Sequence, residues 1–347
     1  MRLTPRNIFS CLAAALASAT MVGCGGASNP GAYNGSSTSG GALTGSPASS
    51  VYVAQNGSIL QFAAGANGSV TPITTLTTDL AGIAALATDS SGRIYVAGDL
   101  LTSGSPVIEV YAAGASGAAT PTRTIDFPLP PSYPPTAMTV DSSGSLYAIN
   151  VYDDEVFVYS STASGAATPS RLISGALTQL NPFIRGLAVD SSGNLYVITW
   201  PLFAATAIEV FSSNATGNVA PIRAITTANP NAVFEGEAID ANGNLYLTLD
   251  LGVTPYTNSI VEYAPGASGA ATPMRTISGT ATGLVNAIAI SVDGAGNIFV
   301  AHSPQTTSGP YVNTLDEFAA SATGNVAPIS SFTSTSWTSA GVTIALH

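Results

Sequence analysis

Lysine is absent from the 347 residues, and all eight basic side chains are arginine. Charged residues make up only 8% of the chain, where a soluble domain carries roughly 25%. Nineteen acids against eight arginines leave a net charge of −11. Phosphate binding draws on clustered Lys and Arg, so this balance excludes a nucleic-acid partner. It equally excludes a polybasic membrane patch. Histidine is confined to His302 and the terminal His347, which leaves one non-terminal imidazole for general-base work. No Gly-x-Ser-x-Gly elbow, His-Glu-x-x-His, Walker A or post-strand Gly-x-Gly-x-x-Gly occurs. Asp240-Ala-Asn-Gly has the start of a calcium loop, but its twelfth position is Leu251 and related turns recur elsewhere, so it reads as a turn. What is plentiful is apolar, 46% of residues, enough for a large core and against global disorder.

The first fifty residues read as an address and a tether. Arg2 and Arg6 precede an apolar stretch from Ile8 to about Met21, too short to span a bilayer. It ends in Met21-Val22-Gly23-Cys24, which resembles the lipobox of bacterial lipoproteins. The resemblance implies cleavage after residue 23, lipidation of Cys24 and, in a cell with two membranes, the outer membrane. Cys11 then leaves with the signal, so the folded part has no disulfide, thiolate metal site or cysteine nucleophile. The mature chain keeps six arginines against nineteen acids, a net charge of −13. Residues 25–50 are uncharged and rich in Gly, Ser, Ala and Thr, a flexible linker with a reach of about 28 Å.

Residues 51–347 repeat six times. Phe62, Tyr111, Tyr159, Phe211, Tyr263 and Phe318 each have Gly at +6, Pro at +10 and a large apolar residue at +14. Between these units, Asp89, Asp141, Asp190, Asp240 and Asp293 have Gly at +3 and an aromatic at +6. That second unit reads as strand, tight turn, strand, with Gly supplying positive φ. Each repeat therefore holds four short strands, A to D, at 185–189, 195–199, 207–211 and 221–225 in one of them. Four strands at a period of about fifty residues predict an all-β, six-bladed β-propeller of four-stranded blades. The repeat region opens in a B strand and closes in an A-like strand, so the C-terminal strand should complete the first blade.

Gly186–Asp190, Gly193–Ile198 and Ile208–Phe211 resemble NHL-repeat propellers, and the resemblance extends over 51–347. It speaks to architecture more than to activity, because one propeller fold hosts many functions. In the related SMP-30/gluconolactonase and streptogramin-lyase propellers, ligands on the axis hold a divalent metal and a lyase uses a histidine. Those ligand sets do not map onto this chain residue by residue.

Antiparallel succession puts the A–B turns and C–D connections on one face and the B–C and D–A loops on the other. The first face is uniform and the second varies in length, so binding is expected on the variable face. The five turn aspartates are structural. Arg123, Arg171, Arg223 and Arg275 fall in strand D, where a charge guards an outer edge. Glu109, Glu209, Glu262 and Glu317 sit in strand C as scaffold. Asp79, Asp99, Asp126, Asp153, Asp154, Glu235 and Asp250 fall in or beside variable-face loops, with Arg185 against them. An acidic face suits calcium, magnesium or a cationic ligand, and also serves solubility.

Glu237 breaks the repeat, because the equivalent residues Leu86, Met138, Leu187, Ile290 and Ile344 are apolar. A carboxylate there costs stability unless it is paired or useful. Glu235 should share its side of the strand, and Arg185 is the equivalent residue one blade back. The three form a candidate cluster at the channel mouth, either a ligand or metal site held by Glu235 and Glu237, or an ion pair tying two blades. His302, expected just after strand B, is the candidate catalytic base. Tyr133, Tyr152, Trp200, Phe203, Phe234, Tyr256, Tyr311 and Trp337 crowd the variable loops. The expectation is a monomeric, lipid-anchored binding module of the cell envelope, taking a small ligand or an envelope protein at Glu235, Glu237, Arg185, Asp99 and Asp250. The alternative is a metal-dependent lactonase, hydrolase or lyase.

Overall fold

The computed structural model describes residues 49–347, except 128–132, 151–153, 181–183, 201–205, 228, 230–231, 252–257, 304–312 and 338–342. Cys24 lies outside the described residues, as do Tyr152, Asp153, Phe203, Tyr256 and Tyr311. Residues Tyr33–His347 form a compact unit by themselves.

Local chemistry makes the strands. In the turn after Val189, Asp190 Oδ1 accepts the amides of Ser192 (2.9 Å) and Asn194 (2.8 Å), and Gly193 takes φ 81°. A side chain that satisfies two turn amides and a glycine at positive φ fold the chain back. Asp190 Oδ2 also accepts the Tyr196 hydroxyl at 3.4 Å, so the turn aspartate and the aromatic at +6 are partners. The pairing recurs at Asp89–Tyr95, Asp141–Tyr147 and Asp240–Tyr246.

Six antiparallel sheets arise, one per repeat. In the fourth blade, strands A to D are Ile184–Val189, Leu195–Thr199, Ala207–Phe211 and Arg223–Thr226. Strand D starts two residues later than the sequence pattern suggests, because Pro221 has no amide to give to a ladder. The apolar core lies between blades. Ile198, Ile208 and Val210 of the fourth blade pack with Phe234, Leu247 and Val261 of the fifth. A blade covered on both faces needs few charges, which explains the 8%.

The ring closes at two seams. Ile344–Leu346 pairs with Ser50–Gln55, so the last strand completes the first blade as the repeat phase predicts. Gly68–Ser69, in the first blade's C–D connection, also pairs in parallel with Ser330–Thr333 of the sixth. The same clasp recurs around the ring as isolated parallel bridges: Leu76 to Gly117, Ile125 to Gly165, Ile173 to Gly217, Ile225 to Gly269 and Ile277 to Gly324. The fixed glycine of one repeat and the fixed apolar residue of the preceding one are thus contacts across a blade boundary.

This corrects the expectation for the strand D arginines. Arg171 Nη1 donates to the carbonyls of Ser213 (2.6 Å) and Ala215 (3.3 Å) in the next blade. Its Nη2 donates to the Tyr147 hydroxyl at 2.8 Å, with the guanidinium 5.4 Å from that ring's centroid. Arg123 and Arg275 likewise bond carbonyls of the next blade. The next blade's connection already covers the edge of strand D, so these arginines tie blades together instead of guarding a free edge.

Candidate functional site

Strand A of most blades carries a β-bulge five residues before the turn aspartate. The register shifts at Ile83/Ala85, Ile184/Gly186, Phe234/Glu237 and Ala287/Ala289. The extra residues are Ala84, Arg185, Glu235 with Gly236, and Ile288. A bulge re-aims a side chain that alternation would otherwise commit to the blade face. Two neighbouring blades place charges there. The Arg185 Nη1 of the fourth blade donates to Glu235 Oε2 of the fifth, and both side chains are half-buried. The guanidinium carbon also lies 4.2 Å over the ring of Trp200, which follows strand B of the fourth blade. Stacking on an indole orients the guanidinium plane. Asp250 ends strand B of the fifth blade, paired with Val233. Burial pushes the Glu235 carboxyl above its ordinary range; Arg185 opposes that shift and Asp250 adds to it.

Glu237 is placed differently. Glu235 and Gly236 together oppose the single Thr248, and Glu237 pairs with Leu247, a core residue between the fourth and fifth blades. The expectation that Glu235 and Glu237 share one side of a regular strand is therefore wrong, because the bulge interrupts the alternation. Glu237 is fully buried. Burial holds its carboxyl well above the usual value, and the Ile198 backbone opposes the shift. Gly236 lies where a Cβ would come within 3.0 Å of the Ile288 carbonyl, so it lets the bulge lie close against the sixth blade.

The structure therefore joins Arg185 to Glu235 and sets Asp250 beside them. Asp99 is elsewhere, half-buried at the end of strand B of the second blade, across the ring from the fifth. Its carboxyl is raised by burial. Phe234 is a core residue, so it does not line the variable face, and Trp337 is buried as well. Glu235 engages a guanidinium, and Glu237 is enclosed between blades. Among the described residues no group of three or more His, Cys, Asp or Glu converges to hold a metal. Calcium or magnesium chemistry finds no fitting donor set in the described residues.

His302 is the last residue of strand B of the sixth blade, Ile298–His302, and not a loop residue. Its Nε2 lies 2.9 Å from Asp316 Oδ2, both residues are 3% exposed, and Asp316 Oδ1 accepts Ser331 Oγ at 2.5 Å. The buried partner in strand C extends the strand by one residue and takes the imidazole away from solvent. Sequence reasoning missed Asp316; the available signal was an acid two residues before the repeat aromatic Phe318. The strand C glutamates are buried scaffold, as expected. Glu209, for example, is pushed up to about 7 by burial.

The fold has relatives among solved structures. A protein of unknown function from Bacteroides caccae matches with a TM-score of 0.54 at 9% identity, over 86% of this chain and 98% of that one. A protein from Lactobacillus plantarum matches with a TM-score of 0.53 at 16% identity, over 88% and 87%. The chain is a six-bladed β-propeller. At these identities the likeness concerns fold alone. No family model and no curated protein matches this propeller.

Proposed function

We propose that this propeller is a lipid-anchored binding module of the bacterial cell envelope that receives a cationic group on its variable face. The observation that carries the reading is the juxtaposition of Arg185, Glu235, Asp250 and Trp200 at the bulges of two adjacent blades. One guanidinium pairs with Glu235, and Asp250 adds a second carboxylate near Glu235, so the ionised cluster has a net negative charge. Trp200 supplies an aromatic face beside it, and ammonium or guanidinium groups favour that combination. Anchoring through Cys24 would keep the module at a membrane while the linker gives it reach.

The test is a titration with 1,4-diaminobutane, which offers two ammonium groups, followed by tryptophan fluorescence, with acetate as the anionic control. Saturable binding is expected for the diamine and not for acetate. It should tighten as pH rises, because the Glu235 carboxyl is raised and must ionise. E235Q combined with D250N should abolish it. Equal binding by the double variant, or no saturable binding, would overturn the reading.

A further inference from the structure

Seven large apolar side chains are exposed among the described residues, and four of them occupy one repeat position. Ile73, Ile222, Met274 and Ile329 are 58, 55, 55 and 57% exposed. Each follows the blade proline and immediately precedes strand D, at the exit of the C–D connection. They belong to the first, fourth, fifth and sixth blades, which are consecutive around the ring. The second and third blades place Thr122 and Ser170 there, and both hydroxyls bond back to carbonyls of strand C. The aliphatic residues thus form an arc on one side of the rim.

The chain itself indicates what that arc meets. Ser50 opens strand B of the first blade, its amide bonded to the His347 carbonyl at 2.9 Å. The His347 ring lies against Gly92, the turn glycine of the second blade. The described chain therefore enters the ring, at Ser49 and Ser50, on the A–B turn face, the face that also carries the C–D connections and the aliphatic arc. It enters through the first blade, one end of the arc. The Arg185–Glu235 cluster lies on the opposite face. The turn aspartates of the entry face have their carboxylates bonded to turn amides.

We infer that the arc of Ile73, Ile222, Met274 and Ile329 seats the propeller on a lipid surface, with the variable face turned away from the membrane. The inference rests on the reading of Cys24 as a lipid anchor. Four aliphatic side chains with no basic patch would give weak, reversible seating, which a lipid anchor tethered to the entry strand makes effective by raising the local concentration. Lipid headgroups need not be anionic for this mode, in keeping with the acidic chain.

Residues 33–347, which lack Cys24 and the apolar leader, can be sedimented with vesicles of equal parts phosphatidylethanolamine and phosphatidylglycerol. Wild type should partition to the vesicles. A variant with threonine at all four positions, as the second blade has naturally, should lose roughly tenfold or more of that partition with an unchanged melting temperature. E235Q should partition like wild type. Failure of wild type to sediment, or equal partition of the threonine variant, would overturn the inference. So would concentration-dependent self-association in vesicle-free buffer that the variant lacks, since the arc would then face a second copy. The anchor is tested separately, by the intact mass of the full chain exported from a bacterial host. An unmodified Cys24 with rim-dependent partition removes the anchor and leaves the lipid-seating surface. A lipidated Cys24 with rim-independent partition removes the surface and leaves the anchor.

Discussion

Replacing Glu237 with glutamine should make the propeller more stable at neutral pH and leave it nearly unchanged in acid. The side chain is fully buried, in a position where four other blades carry Leu86, Met138, Leu187 and Ile290, each with no exposure. Burial raises its carboxyl well above 4.5. Above that pH the unfolded chain releases the proton while the folded chain keeps it. The native state then binds more protons, and stability falls as pH rises from the unfolded value towards the native one. One proton contributes about 1.4 kcal/mol per pH unit within that window. Glutamine is close in shape and neutral at every pH, so E237Q should match wild type near pH 4.5. It should gain about 1.4 kcal/mol on it for each further unit until the native value is reached. For a ring of this size that is about 2 °C per unit. Glu209, pushed up to about 7, contributes a slope of the same sign to both proteins and cancels in the difference. The assay is urea unfolding of the two proteins at half-unit steps from pH 4.5 to 8. Parallel curves would mean that Glu237 is ionised in the folded ring, and the account of its burial would be refuted.

Arg171→Ala should destabilise by about 2 kcal/mol in the same assay, through two carbonyl bonds, one hydroxyl bond and stacking on Tyr147. R171K should recover little of it, because an ammonium cannot reproduce the fork; a loss under about 0.5 kcal/mol would deny the blade tie. Gly92→Ala combines φ 80° with a Cβ only 2.7 Å from the His347 ring. It should cost at least about 1 kcal/mol, and H347A should remove the steric part, so that a double-mutant cycle shows coupling. Additive losses would mean that the ring contact contributes nothing.

The repeat was legible because its offsets are local. Asp190, Gly193 and Tyr196 form one turn and its first partner, all within seven residues, so the pattern and the bonds coincide. The glycine at +6 and the apolar residue at +14 were legible as a pattern but not as a contact. Their partners lie in neighbouring repeats, for example Leu76 with Gly117. Arg171 suffered from the same difficulty, since an arginine on an outer strand looks like an edge guard until the next blade's carbonyls are in place. The pairing of Arg185 with Glu235 could be inferred from equivalent repeat positions. The bulge that separates Glu235 from Glu237 could not, because a one-residue slip against Thr248 leaves no mark on composition or period. His302 looked like a loop residue because Asp316, 14 positions later, is what draws it into the strand.

The sequence by itself determined the six four-stranded repeats, the strand phase that closes the ring with Ile344–Leu346, and the absence of lysine from the chain and of cysteine from residues 51–347. Those properties follow from spacing, count and turn chemistry along one chain. The tertiary structure alone decided which charges meet and which are enclosed: Arg185 with Glu235 over Trp200, Glu237 between blades, His302 with Asp316. It also decided that four exposed aliphatic residues share the face by which the chain enters. These are contacts or coincidences between blades, set by ring closure and by bulges that redirect single side chains, and a one-dimensional pattern holds no distance across a blade boundary.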